Sequence, residues 1–163
     1  MAAASAAFAP SIALGAFAGL RSSEIQRLDW SDVNYTAGHV IVSAKKRGTP
    51  ARRIVPILPA LRAWLATHSA KSGPVFKCEA DNIGHDQFTR SELATAKAAG
   101  VLWKQNGLRH SFISYRVADT QDLPKVALEA GNSVPTIPGH YPQLVPKGEA
   151  HEARKAVWRE RSE

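Results

Sequence analysis

Arg21, Lys46, Arg109 and Tyr141 are the residues of this 163-residue chain whose types suit the handling of a phosphodiester. A guanidinium grips phosphate oxygens with paired donors. An ammonium can protonate a departing alkoxide once its pKa, ~10.4 unperturbed, is drawn toward neutrality. A phenol attacks phosphorus when cations stabilise the charge that builds on the surrounding oxygens. Each residue also has an ordinary role when taken singly, as a surface ion pair, a solvated turn or a packing tyrosine. What sets them apart is context. Arg21 closes a small-residue turn, Gly19-Leu20-Arg21, ahead of Ser22-Ser23-Glu24-Ile25. Lys46 lies in a basic turn, Arg109 in Asn106-Gly107-Leu108-Arg109-His110, and Tyr141 follows Ala130-Gly131-Asn132. No metal-ligand cluster accompanies them in the sequence, so the expected chemistry needs neither a metal nor another cofactor.

The elements that must position these groups are legible as periodic patterns. Residues 10–20 read as a buried helix with Pro10 in its first turn. Residues 22–28 read as a short helix capped by Ser22 or Ser23, with Glu24 at its positive end and able to orient Arg21. Residues 39–44 (HVIVSA) and 52–58 (RRIVPIL) are rich in β-formers. The stretch between them is punctuated by Gly48 and Pro50, which predicts an antiparallel hairpin. Its tip gathers Lys45, Lys46, Arg47, Arg52 and Arg53, expected to face DNA. Residues 32–35 suggest a third, short strand. Helical spacing recurs at 58–68, 91–99, 108–118 and 123–130, and a charged tail at 147–161 carries a narrow apolar stripe. The expected fold class is α+β, predominantly helical with a small antiparallel sheet.

Composition sets the outer bounds. The length suits a single domain over residues 1–163, and 44% apolar residues can build a core. A formal charge of +7 favours polyanionic partners, double-stranded DNA above all. Cys78 is the sole cysteine, which rules out an intrachain disulfide and fits a cytoplasmic location. The uncharged start, residues 1–20, lacks the positive n-region of a signal peptide and is too rich in Ala, Gly and Ser for a membrane span. No membrane association is expected.

Read in order, Gly-Leu-Arg-x-x-Glu-Ile, a lysine-bearing hairpin, Leu-Arg-His-Ser-Phe, and Ala-Gly-Asn-Ser followed by His140-Tyr141 resemble the tyrosine recombinases, the phage integrase family. The resemblance runs from about Leu14 to Val145. It implies that Arg21 and Arg109 clamp the scissile phosphate. It implies that Lys46, or its neighbour Lys45, protonates the leaving 5′-oxygen, and that Tyr141 forms a 3′-phosphotyrosyl link. Tyr141 stands nine residues after Asn132, the family's spacing. It further implies self-association on DNA as a tetrameric synapse.

The chain departs from the family pattern in three ways. Asn106 and Asn132 occupy places where the family usually has His, or His or Trp. Asparagine can hydrogen-bond a phosphate oxygen but does not carry a proton at neutral pH. His110 does not replace Asn106 as a proton carrier, since the next helical position points about 100° away; it is expected among the DNA-contacting residues instead. Nothing corresponds to the N-terminal core-binding domain of family members, so the catalytic domain alone is expected. The leading reading is a site-specific DNA recombinase. Beside it stand a catalytically degenerate DNA-binding remnant, a type IB topoisomerase-like enzyme, and a helical protein–protein module using the tail.

Overall fold

The computed structural model describes residues 4–46, 49–67, 72–77 and 84–135, with the backbone alone for 44–46, 49–51 and 84–86. Arg47, Cys78, His140, Tyr141 and the tail at 147–161 lie outside the described residues. Among the described residues, six helices and one three-stranded sheet follow in the order α1 (Ala9–Ala18), α2 (Ser22–Ile25), β1 (Val33–Asn34), β2 (His39–Lys46), β3 (Thr49–Pro56), α3 (Pro59–Ala66), α4 (Gly84–Ala98), α5 (Gly107–Thr120) and α6 (Leu123–Ala130). A 3₁₀ turn at Trp30–Asp32 leads into β1. The α+β expectation holds, with helices dominant. No described helix is long and apolar enough to cross a membrane.

Helix α1 is the central post. It is buried on nearly every side, packing against α3 and α5. Its alanines and Gly15 explain how two helices approach it closely: a Cβ on Gly15 would sit 3.2 Å from Leu108 Cδ1. Phe8, just ahead of α1, meets Phe76 and Phe88 edge-on at centroid distances of 5.9 and 5.2 Å. That aromatic trio anchors α4 to the start of the chain. It also accounts for the length of α4, which begins seven residues before the expected 91. Residues 84–90 have little helical periodicity, and Phe88 is the buried anchor among them.

The sheet order is β1-β2-β3, antiparallel throughout, with Val42 opposite Arg53 and Val40 opposite Val55. Val40, Val42 and Val55 are buried. Period-two alternation therefore puts Arg53 on the core face of the hairpin and Arg52 with Ile54 on the other. β1 is only two residues long, shorter than the expected third strand.

Helix α5 buries Arg109, Phe112, Ile113, Arg116 and Val117, an i, i+3, i+4, i+7, i+8 stripe in which two of five members are arginine. Against it α6 buries Val126, Ala127, Glu129 and Ala130. Arg116 and Glu129 join in a two-pronged ion pair at 2.8 and 2.9 Å, both buried. The carboxylate, through its hydrogen bonds above all, holds the Arg116 guanidinium firmly charged, its pKa raised against the effect of burial. This pair fixes α6 on α5 and so sets where the end of α6 lies.

Candidate functional site

The end of α6 is where the distant sequence motifs meet. A helix terminates with unpaired carbonyls and a partial negative charge, which cations satisfy. Here arginines from three different elements do so.

Arg21 is the N-cap of α2, in extended conformation, two residues after the left-handed Gly19 that ends α1 (φ 63°). Its Nη2 donates to Gly131 O and to Asn132 Oδ1, both at 3.0 Å. Its Nη1 donates to Glu24 Oε1 at 3.1 Å, and its backbone N–H to Glu24 Oε2 at 2.8 Å. The cap of α2 is thus the Glu24 carboxylate reaching back to Arg21, where a serine cap was expected. The Arg21 side chain remains 40% exposed, so this guanidinium can meet a ligand from solvent.

Arg109, in the first turn of α5, is 5% exposed. Its Nη1 donates to Gly19 O, and its Nη2 to Ala130 O and Asn132 Oδ1, both at 2.6 Å. Two guanidinium groups separated by 88 positions in the chain therefore share one acceptor, the amide oxygen of Asn132. Guanidinium has no acceptor of its own, so the amide must turn its oxygen to the arginines and its NH₂ away.

Glu24 supports this arrangement from behind. Its carboxylate, 4% exposed, receives both prongs of Arg53 at 2.7 Å as well as the bonds from Arg21. Burial alone would raise its pKa. The hydrogen bonds from Arg53 and the Arg21 backbone, with the charges of both arginines, outweigh burial and bring it down to about 2. Arg53 also donates Nε–H to Glu129 O at 3.0 Å. Arg53, expected among the DNA-facing cations, is turned inward onto a carboxylate and a helix end. Arg52 is exposed.

Asn106 is the N-cap of α5 in the left-handed conformation (φ 57°), which asparagine tolerates better than most residues. It is exposed and makes no side-chain cap bond. With Arg109, Ser11, Ser22 and Glu92 it borders a cavity of about 20 Å³. His110 is exposed on the adjoining face of α5, beside Val101, Leu102 and Trp103. Lys45 and Lys46 end β2, paired in register with Pro50 and Thr49. Tyr141 lies outside the described residues, beyond the chain that leaves Asn132.

The described structure thus brings together Arg21, Arg109 and Asn132, places Asn106 at the edge, and adds two supports that the sequence reading passed over: the double use of Glu24 and the inward fork of Arg53. The Arg116–Glu129 pair was missed as well. Signals for Arg53 and Arg116 were present. Arg53 shares the alternation phase of Val55, and Arg116 falls seven residues after Arg109 on the apolar stripe of its helix.

Comparison with known proteins identifies the fold and the family. No curated protein sequence matches the chain. Among solved structures, XerA recombinase superposes with a TM-score of 0.68 at 20% identity, covering 96% of this chain and 57% of its own. The integrase of mycobacterium phage Brujita gives 0.64 at 20% identity, covering 98% and 55%. XerH site-specific recombinase, in a post-cleavage complex with a palindromic difH substrate, gives 0.56 at 21% identity, covering 93% and 45%. This chain therefore spans about half the length of each, and the shared fold is that of the tyrosine recombinase catalytic domain. Residues 4–131 match the phage integrase family, which takes in Arg21, the hairpin, Arg109 and α6 and stops short of Asn132 and Tyr141. On that match, over most of its length, the chain belongs to the phage integrase family.

Proposed function

We propose that this chain is a catalytic domain that cuts and rejoins DNA at specific sites through a covalent phosphotyrosine. The observation that carries the proposal is the convergence of Arg21 and Arg109 on one oxygen, Asn132 Oδ1. Two guanidinium groups within hydrogen-bonding distance of one point form an anion clamp, and a phosphate oxygen drawn there exchanges for the neutral amide oxygen. Asn132, relieved of the arginines, then has an NH₂ to offer the same phosphate.

In the proposed step the Tyr141 oxygen forms a bond to phosphorus as its proton passes to solvent water. The bond from phosphorus to the 5′-oxygen breaks, and Lys46 delivers a proton to that oxygen. Lys46 is preferred to Lys45 because its position in β2 has the phase of Val40 and Val42, whereas Lys45 has that of Ile41 and Ser43. The phosphotyrosine conserves the energy of the broken link, so a 5′-hydroxyl from a second duplex can reverse the attack. Exchange between duplexes calls for several copies of the chain on DNA, with a tetramer as the proposed assembly. The XerH complexes show a protein of the same fold bound to its difH substrate before and after cleavage. A duplex nicked near the scissile phosphate, so that the released fragment diffuses away, should trap the protein covalently. Tyr141→Phe should abolish the adduct while leaving duplex binding within about twofold, because a phenol hydroxyl adds little to the phosphate contacts that dominate affinity. Binding with no adduct from the unsubstituted chain would refute the proposal.

A second reading has its own observation. Asn106 and Asn132 cannot titrate, and the clamp arginines already have protein acceptors. A DNA-binding remnant that has lost cleavage fits those facts, and the same trapping assay separates the two.

A further inference from the structure

Arg53 is the cation whose surroundings differ most from its place in the sequence. It sits in the basic hairpin, yet its side chain is 13% exposed and both prongs are committed to Glu24. Its third described bond goes to the carbonyl of Glu129, in the last turn of α6. The path of this side chain depends on Gly131. A Cβ there would lie 3.0 Å from Arg53 Nη1 and 3.1 Å from its Cδ, so the bare backbone leaves the channel through which the fork passes. Gly131 also has a left-handed φ of 67°, and its carbonyl accepts from Arg21. Arg53, Glu24, Arg21 and the end of α6 therefore form one closed loop of hydrogen bonds.

We propose that Arg53 is a positioning residue for the anion clamp: by holding Glu24 it fixes the Arg21 guanidinium, and it ties the lysine-bearing hairpin to the end of α6. The proposal rests on the clamp reading of Arg21 and Arg109 and deepens it. Arg21 is long and partly exposed, so ordering it costs rotamer entropy unless a fixed acceptor holds it. Glu24 is that acceptor, and its own orientation is set by the planar two-pronged match with Arg53. Lysine cannot reproduce such a match, because an ammonium is a point charge without a fork. Arg53 touches no substrate in this role.

The decisive measurement is the guanidinium Nη–H signal of Arg21 in the 163-residue chain, whose bonds go to Glu24, Gly131 and Asn132, recorded by ¹⁵N NMR at low temperature with Arg21→Lys as the assignment control. In the unsubstituted chain it should be sharp and protected from exchange with water. In Arg53→Met it should exchange roughly tenfold faster or more, as expected when a hydrogen bond worth about 1.4 kcal/mol or more is lost, while amide signals of α1 and α5 stay in place. An unchanged Arg21 signal overturns the proposal. If Arg53→Met does not fold, Arg53→Lys keeps the charge and must still loosen Arg21. Single-turnover adduct formation supplies the functional readout. Arg53→Met should slow cleavage of a phosphodiester by about 30-fold or more, in the range that misplacing a reacting group costs. It should slow a neutral methylphosphonate at the same position far less, since that link has less need of Arg21. Equal slowing of both substrates would mean a structural role and overturn the proposal. If the unsubstituted chain forms no adduct, the recombinase reading falls and the NMR result alone judges Arg53.

Discussion

Glu24 shows how one residue can serve stability and the site together. Its carboxylate is buried among two guanidinium groups and one backbone N–H, with a pKa brought down to about 2. A group whose folded pKa lies below its unfolded value, ~4.3 for glutamate, stabilises the fold above the unfolded pKa. That contribution is lost as pH falls through the folded pKa. The stability gap between the unsubstituted chain and Glu24→Gln should therefore be widest above about pH 4.5, on the order of 2 kcal/mol. It should close as pH approaches about 2. Urea unfolding at a series of pH values measures it, and a gap that does not change with pH would show that the charge of Glu24 is not what matters. Asn132 presents the complementary case of a neutral residue in a cationic site. Its oxygen draws Arg21 and Arg109 together without neutralising either, so their charge remains for a phosphate.

At the scale of elements, the site is assembled where three chain segments end or turn: the α1-to-α2 corner, the first turn of α5 and the last turn of α6. Gly19 is the corner piece. It has φ 63°, its carbonyl accepts from Arg109, and a Cβ in its place would lie 2.4 Å from Phe112 Cδ1. Gly19→Ala combines a left-handed alanine with an overlap against a buried ring, so destabilisation of about 2–4 kcal/mol is expected. Thermal or urea unfolding checks the value, and a loss below about 0.5 kcal/mol would mean that the corner relaxes without cost. Folded Gly19→Ala protein should also lose the shared acceptor geometry, because Arg109 is held against this same turn. The Arg116–Glu129 pair does for the far side of α6 what Gly19 does for α1, fixing the docking of one helix on another.

For the whole molecule, the excess of basic residues, +7 in formal charge with a sequence pI of about 9.9, gives a field that suits DNA. Two of the arginines are spent inside the fold, since Arg53 and Arg116 face carboxylates. The cations available to phosphate are therefore fewer than composition suggests. Duplex affinity should fall linearly in log salt between about 50 and 200 mM, with a slope set by phosphate contacts. Arg53→Met should leave that slope unchanged, whereas Arg52→Ala should reduce it by about one contact. Fluorescence anisotropy titrations give both slopes. A slope reduced by Arg53→Met would place that residue against DNA.

The order of motifs was enough to read the fold class, the hairpin, the helix starts at Arg21 and Arg109, and the family, because periodicity and capping are local properties of a chain. Alternation along β3 even held the inward phase of Arg53, although a run of basic residues around a turn reads first as a solvated tip. What spacing could not decide was which acceptor each guanidinium meets. Those partners lie up to 111 residues away, and a hydrogen bond of defined length exists only once packing has brought the end of α6 against the α1 corner. Burial, too, is a collective property: Glu24, Arg109 and Arg116 have ordinary surface-residue types, and it is the surrounding core that makes each of them a fixed charge.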